Sequence, residues 1–340
     1  MMTREELLIL LKDYSPEEIN QIEKDFRDIS NLSFDSAKPA TGQPVYLATA
    51  GAPGAAKSTT LEYYIRTNNL GHYVYTDPDE VVLKAMKYTY DKSLTLYELA
   101  QAPSNHAAFK KAYDKWRAAS NNINNRIFAL ALGANNGANN EKKYNVAHGT
   151  TSTSPYIENL YTYLKAAGYR IVLLLCYNHE ETRKKLNDNR EREQAFVKVT
   201  ADDMIKKGED FSRRFDIYFK YADEILFYWN DKVEHGKFTQ PCAKYVSDRP
   251  DASPLTVFNE AEWKCFYDKY MLDTGKLDIP RCTKFINLIP NNQQPFFSMR
   301  RASSISPHMT GRTVHGTTAT SSVSTDESLV SLAPVHAKSI

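Results

Sequence analysis

An α/β fold, with a parallel sheet covered by helices on both faces, is what this 340-residue sequence predicts. Three observations carry that expectation. Between about residues 45 and 230, apolar runs alternate with helical patterns, which is the rhythm of strand–helix–strand units. The apolar runs are rich in β-branched and aromatic residues and mostly do not alternate with polar ones, as befits strands buried on both faces. The first of them runs straight into a glycine-bearing loop and then a helix, "VYLATAGAPGAAKSTTLEYYI" at 45–65.

Taken in order, residues 3–29 read as two short helices. Leu7, Leu8, Leu10 and Leu11 give the first an apolar face. "SPEEINQIEKDF" opens the second: Ser15 can cap, Pro16 suits the first helical position, and Glu17 and Glu18 suit the positive end of the helix dipole. "SFDSAKPATGQP" reads as a linker. Strands are expected at 45–50, 72–77, 144–150, 169–178 and 224–230, with helices at 57–68, 104–132, 155–168 and 201–222. "GANNGANNEKK" is a polar connection. After 230 the rhythm stops, and "TVFNEAEWKCFYDKYML" reads as one further helix packed on the main domain. The end of the chain is serine- and threonine-rich with few aromatics, too poor in apolar surface to offset the entropy of ordering. The expected organisation is an N-terminal helical segment at 1–40, an α/β domain at 41–290 and a disordered tail at 291–340.

Composition narrows the function classes. Lys and Arg number 43 against 41 Asp and Glu, a net charge of +2, which argues against a protein whose main work is gripping nucleic acid. The four cysteines show no CxxC spacing, so neither a zinc ribbon nor a redox motif is suggested, and a reducing, cytoplasmic compartment fits. Cys176, inside "IVLLLCY", reads as a small buried residue. No apolar run approaches the ~20 residues that span a bilayer, and the N-terminus is too acidic for a secretory signal.

Chemistry concentrates first in the loop. Gly51, Ala52, Pro53, Gly54, Ala55, Ala56, Lys57 and Ser58, followed by Thr59, match the phosphate-loop pattern GxxxxGK[ST] except that Ala56 replaces its second glycine. Successive N–H groups and a helix N-terminus make such a loop an anion nest, and small residues let phosphates approach. Lys57 would neutralise the β- and γ-phosphates, and Ser58 would hold a magnesium ion. The cost of Ala56 depends on whether its position needs φ > 0. The second strand ends in "YTDPDEVV", where Asp77 and Asp79 lie at the carboxyl end of a parallel strand, the edge at which open α/β sheets bind ligands. Either could take a proton or order magnesium. An Asp-Pro turn with Asp79 capping "EVVLKAM" is the competing reading.

The "GAPGAAKST" loop, the "DPDE" segment, "HGTTSTSPYIENLYTYLKAAGYRIVLLLCYN" and "RKKLNDNREREQAFVKVTADDM" together resemble the zeta-toxin family of P-loop kinases, over residues 45–230. The resemblance implies ATP and magnesium as cofactors and a UDP-activated N-acetyl sugar as phosphoryl acceptor. It implies Asp79 as the base on the sugar hydroxyl, Lys57 and Ser58 in the roles above, and Gly149 and Thr150 as substrate contacts; with Asp79 taking the proton, Asp77 is the carboxylate left to order magnesium beside Ser58. Where many members have an acidic residue before that pair, this chain has His148. Of the family's two phosphate-facing arginines, Arg190 and Arg192 are candidates for the first, ahead of Arg183. The second position holds Lys198, which keeps the charge without the planar fork. The expected helix near 104–132 would wall the acceptor pocket, with Arg117 touching substrate and Trp116 packing in the core.

Three function classes follow. The first is a kinase for a small hydroxylated acceptor. The second, given the departures at Ala56, His148 and Lys198, is a nucleotide-binding interaction module, or a secreted bacterial effector, with impaired transfer. The third is a structural α/β scaffold. The N-terminal helices could cover the nucleotide site as a helical antitoxin restrains zeta toxins, although packing elsewhere on the domain suits them better. In the tail, Arg300, Arg301 and Ser303 match an RRxS kinase site, and the small-polar composition resembles C-terminal export signals.

Overall fold

The computed structural model describes residues 4–86, 106–133, 142–194, 199–232, 240–247 and 253–288, with the side chains of 106–110 and 190–194 outside that description. The expected tail at 291–340 and Lys198 therefore lie outside the described residues, as do the side chains of Arg190 and Arg192.

Two helices, α1 (Arg4–Ile9) and α2 (Pro16–Asp35), precede the sheet. The start of α2 is set by a capping box. The Ser15 side chain accepts from the Glu18 N–H while the Glu18 carboxylate accepts from the Ser15 N–H, and Pro16 occupies the first turn. The helix runs six residues beyond the expected end at 29, into the stretch that reads as linker. The next elements are β1 (Val45–Ala50), α3 (Lys57–Thr67), β2 (Val74–Thr76), a π-helical turn (Pro78–Leu83), α4 (His106–Ala131) and β3 (Val146–His148). They are followed by α5 (Ile157–Ala166), β4 (Arg170–Tyr177), α6 (Glu180–Gln194), α7 (Ala201–Arg213), α8 (Phe215–Tyr221) and β5 (Glu224–Trp229). Two short strands, β6 (Ala243–Val246) and β7 (Leu255–Val257), then lead to α9 (Glu260–Lys276) and α10 (Thr283–Ile286).

Among the described residues, the strands form one seven-stranded sheet in the order β2-β3-β1-β4-β5-β6-β7. The first five are parallel, while β6 and β7 are antiparallel. The sheet is thus mixed, a correction to the purely parallel expectation. Strands of three and four residues with a lysine at Lys244 carry no periodic signal, and they form because β5 offers an unpaired edge. Two helix assignments also change. The single helix expected at 201–222 breaks at Arg214, between α7 and α8. In addition, α6 forms over a stretch whose one apolar residue is Leu186, with no apolar stripe to announce it.

Successive strand residues face opposite sides and build two cores. Tyr46, Ala48, Leu173, Leu175, Ile225 and Phe227 pack with residues of α4, α5, α8 and α9, including Trp116, Tyr161, Phe219 and Phe266. Leu47, Val172, Leu174, Cys176 and Leu226 pack against Leu61 of α3 on the other face. Both faces are therefore covered by helices. Cys176 is fully buried, and burial pushes its thiol up to about 12, so it serves as a small apolar residue.

The N-terminal helices belong to the first of these cores, to which Ile22 and Ile29 contribute. They lie along α4. Tyr14 stacks on Trp116 at 5.3 Å, and the Asn122 amide donates to the Leu7 carbonyl at 2.8 Å. Arg126 binds both Glu23 oxygens, at 2.6 and 2.9 Å, and lies over Phe26 at 3.6 Å. Among the described residues, no helix is long and apolar enough to cross a membrane.

Candidate functional site

The parallel strands β1, β2 and β3 end on one edge of the sheet, and the loops leaving them are stitched together. The Gly51 N–H donates to the Thr151 carbonyl at 3.1 Å, and the Gly149 N–H to the Thr76 carbonyl at 2.9 Å. Thr49 and Thr150 exchange two hydrogen bonds, from hydroxyl to carbonyl at 2.6 Å and from N–H to hydroxyl at 3.0 Å. Ser152, held at φ 53°, donates to the Thr49 carbonyl at 2.7 Å. The loop after β1 and the "HGTTSTS" loop after β3 are thereby one unit.

Within the 51–59 loop the carbonyls are turned inward. Asn178, just after β4, donates to the Gly54 carbonyl at 2.9 Å, and Asn230, just after β5, donates to the Ala55 carbonyl at 2.8 Å. The Lys57 ammonium donates to the Ala52 carbonyl at 2.8 Å. The amides are left over: among the described residues, no acceptor meets the N–H groups of Gly54, Ala56, Ser58 and Thr59. Four unpartnered donors at the N-terminus of an eleven-residue helix, with a lysine among them, are the elements of an anion nest.

The glycines of this loop are required by close approach. A Cβ on Gly51 would lie 2.5 Å from the Cys176 carbonyl oxygen, and one on Gly54, at φ 77°, would lie 2.5 Å from that of Arg183. Ala56 is the exception. It occupies the N-cap position of α3 at φ 56°, ψ 32°, a left-handed conformation that favours glycine. The departure from the phosphate-loop pattern thus falls at a residue whose backbone asks for the missing glycine. Ala55 and Ala52 are buried, whereas Pro53, Lys57, Ser58 and Thr59 keep partial exposure.

The two aspartates after β2 separate into different roles. Asp77, not Asp79, is the cap: its Oδ1 accepts from the N–H groups of Asp79 and Glu80 at 2.8 and 2.9 Å. Its Oδ2 lies against the backbone of Gly149, where an added Cβ would sit 2.0 Å away. Gly149 is therefore a contact of Asp77. Burial pushes the Asp77 carboxyl up to about 6, against the lowering effect of its two backbone hydrogen bonds. Asp79 stands in the first turn of the π-helical segment, partly exposed, with its Oδ1 3.1 Å from a guanidinium nitrogen of Arg117 on α4. The structure thus brings together two residues that the sequence places in the acceptor pocket. Trp116, beside Arg117, is buried in the core as expected.

His148 sits at the end of β3 with its Nδ1 2.7 Å from the Tyr46 hydroxyl, and burial pushes its pKa down to about 4. It is a neutral ring here, packed against Phe128 at 5.3 Å, and cannot replace the charge of an acidic residue. Arg183 is buried, with its guanidinium against Gly208 of α7 and its carbonyl against Gly54 of the loop, and its Nε has no hydrogen-bond partner among the described residues. Asn187 of α6 brackets Val199, donating to its carbonyl at 2.7 Å and accepting from its N–H at 3.0 Å, which fixes the chain just after Lys198. Sequence reasoning missed Asn178 and Asn230, whose only signal is an asparagine directly after a buried strand.

A magnesium ion fits the donor chemistry in a restricted way. Among the described residues no group of three His, Cys, Asp or Glu side chains converges. The Ser58 hydroxyl in the loop and the Asp77 carboxylate after β2 are hard oxygen donors, of a kind suited to an ion that shares phosphate oxygens rather than one caged by protein.

No protein-family profile matches the chain, and no curated protein does. Among solved structures, similarity extends to a chain of the PezAT chromosomal toxin-antitoxin system of Streptococcus pneumoniae. The identity is 14% and the TM-score 0.46, over 79% of this chain and 97% of that one. It also extends to a chain of the AvrRxo1-ORF1:-ORF2 complex with ATP, at 12% identity and a TM-score of 0.48, over 78% and 77% of the two chains. Likenesses this distant carry nothing about the chemistry of this chain.

Proposed function

We propose that the chain is an ATP-dependent phosphotransferase acting on the hydroxyl of a small acceptor. The observation that carries this reading is the 51–59 loop, with its carbonyls tied inward by Asn178, Asn230 and Lys57 and its amides at Gly54, Ala56, Ser58 and Thr59 unpartnered. That arrangement suits a polyphosphate, and Lys57 supplies the charge for its β- and γ-groups. Ser58 and Asp77 would hold a magnesium ion, whose role when bound is to neutralise charge between those phosphates.

In this reading Asp79 accepts the proton of the acceptor hydroxyl. The hydroxyl oxygen forms a bond to the γ-phosphorus, the bond from that phosphorus to the β,γ-bridging oxygen breaks, and ADP leaves with the electron pair. Phosphoryl transfer asks the protein for positioning and charge rather than covalent chemistry. Arg190, Arg192 and Lys198 would offset charge on the moving group, and Gly149 and Thr150 would meet the acceptor. A UDP-activated N-acetyl sugar is the acceptor that the zeta-toxin resemblance suggests.

Calorimetric binding of magnesium-ATP to the wild type and to Lys57→Ala, with ATP consumption across a panel of nucleotide sugars, tests the reading. Lys57→Ala should lose binding roughly tenfold to a hundredfold, the worth of hydrogen bonds to a charged group. Absence of binding by the wild type at millimolar ATP would leave a structural scaffold. A second reading, a nucleotide-binding module without transfer, is favoured by the left-handed Ala56 and the neutral His148. Tight ATP binding with no consumption on any acceptor would select it.

A further inference from the structure

The Asp79–Arg117 pair is incompletely satisfied. The two atoms are 3.1 Å apart, yet neither Asp79 Oδ1 nor the facing Arg117 nitrogen makes a hydrogen bond, and both atoms are shielded from water. A buried ionic atom without an aligned partner is costly and calls for an explanation. Arg117 is built to be there. It shares one stripe of α4 with Ser120, which donates to the Pro78 carbonyl, and with Asn124, which accepts from the Thr76 hydroxyl. Its guanidinium lies 5.8 Å from the Tyr113 ring centre, which supports the planar group from the same face of the helix. The stripe therefore fixes α4 against the end of β2 and the turn after it, while the charged pair in that seam stays misaligned.

We propose that Arg117 is a positioning residue that exchanges partners. In the empty site it holds the Asp79 carboxylate, and in the loaded site it turns to an anionic group on the acceptor, leaving that carboxylate to meet the acceptor hydroxyl. The proposal rests on the phosphotransferase reading above and adds to it a way of keeping the base occupied until an acceptor of the right charge arrives. A planar fork beside an unaligned carboxylate favours a phosphate or carboxylate group, which accepts two parallel hydrogen bonds where Asp79 accepts none. Neutral sugars cannot draw the guanidinium away.

Binding in the absence of turnover tests this. With magnesium-ADP saturating the phosphate loop, a hexose 1-phosphate, a UDP-activated N-acetyl sugar and the matching neutral sugars are titrated calorimetrically into the wild type, Arg117→Met, Arg117→Lys and Asp79→Asn. Arg117→Met should weaken the anionic compounds roughly tenfold to a hundredfold, the value of a charged hydrogen bond, with Arg117→Lys intermediate. Asp79→Asn frees the guanidinium and should tighten the same compounds several-fold, a shift that a merely structural arginine would not produce. The neutral sugars should respond to neither Arg117 variant. Equal affinity of wild type and both Arg117 variants for the anionic compounds would overturn the proposal. So would unchanged or weaker binding by Asp79→Asn, or no binding of either anionic compound at millimolar concentration. Opposed shifts of the predicted sign without phosphoryl transfer to any compound would instead strike at the phosphotransferase reading alone.

Discussion

Replacing Ala56 by glycine probes the loop at its one conformational anomaly. Ala56 stands at φ 56°, ψ 32°. An L-residue there carries roughly 1–2 kcal/mol relative to the right-handed region. Glycine relieves that strain but loses about 0.5–1 kcal/mol more conformational entropy on folding. The net expectation is a gain of about 0.5–1 kcal/mol, or roughly 1–3 °C in Tm for a domain of this size. Nucleotide affinity should stay within about twofold, because a strain present in both the free and the bound loop gives the ligand no differential energy to exploit. The loop is already fastened by Asn178 and Asn230 without a ligand. Urea unfolding of the wild type, Ala56→Gly and Ala56→Val gives the stabilities, and calorimetry with magnesium-ATP gives the affinities. Ala56→Val should fall by more than about 1 kcal/mol, since a β-branched residue in this region is a true outlier. An Ala56→Gly variant no more stable than the wild type would refute the left-handed backbone at this residue. A large rise in ATP affinity would refute the claim that the nest is formed in advance.

Gly54→Ala should destabilise by about 2–4 kcal/mol, from left-handed strain and overpacking combined, because the new Cβ would lie 2.5 Å from the Arg183 carbonyl. Thermal unfolding checks it. Asp79→Asn should abolish transfer and leave magnesium-ATP binding largely intact, so retention of the full rate would remove Asp79 as the base. Asp77→Asn keeps an oxygen for the cap and removes a buried charge. Because the Asp77 pKa is raised from its ordinary 3.8 to about 6, the folded state holds the proton more tightly, and wild-type stability falls as pH rises from about 4 to about 6. The difference corresponds to as much as about 3 kcal/mol above that range, so Asp77→Asn should gain on the wild type across it. Parallel stability–pH curves for the two proteins would contradict the assignment.

What the sequence discloses follows the strength of each physical signal. The run 45–50 is recovered as β1 to the residue, and β4 and β5 within one residue at each end, because long apolar stretches bounded by polar ones have few competing interpretations. The strands at 72–77 and 144–150 shrink to three residues each, since the positions shed at their ends, His72, Asp77, Asn145, Gly149 and Thr150 among them, are mostly polar or glycine and lie beyond the ladder. Strands β6 and β7 and the polar helix α6 depend on neighbours distant in the chain, to which a local pattern is blind. The site divides in the same way. Lys57, Ser58 and the loop glycines are legible from spacing. That Asp77 rather than Asp79 makes the cap turns on two residues of register, fixed by how Pro78 enters the π-helical turn. The inward-facing asparagines, the tie of His148 to Tyr46 and the Arg117–Asp79 contact are products of folding, each joining residues 38 to 175 positions apart. Such contacts decide whether an incomplete phosphate-loop pattern is a working nest. Here the missing glycine is the one local departure, and the supports that could compensate for it arrive from β3, β4 and β5. A sequence pattern that counts only the loop's own residues therefore undervalues this loop.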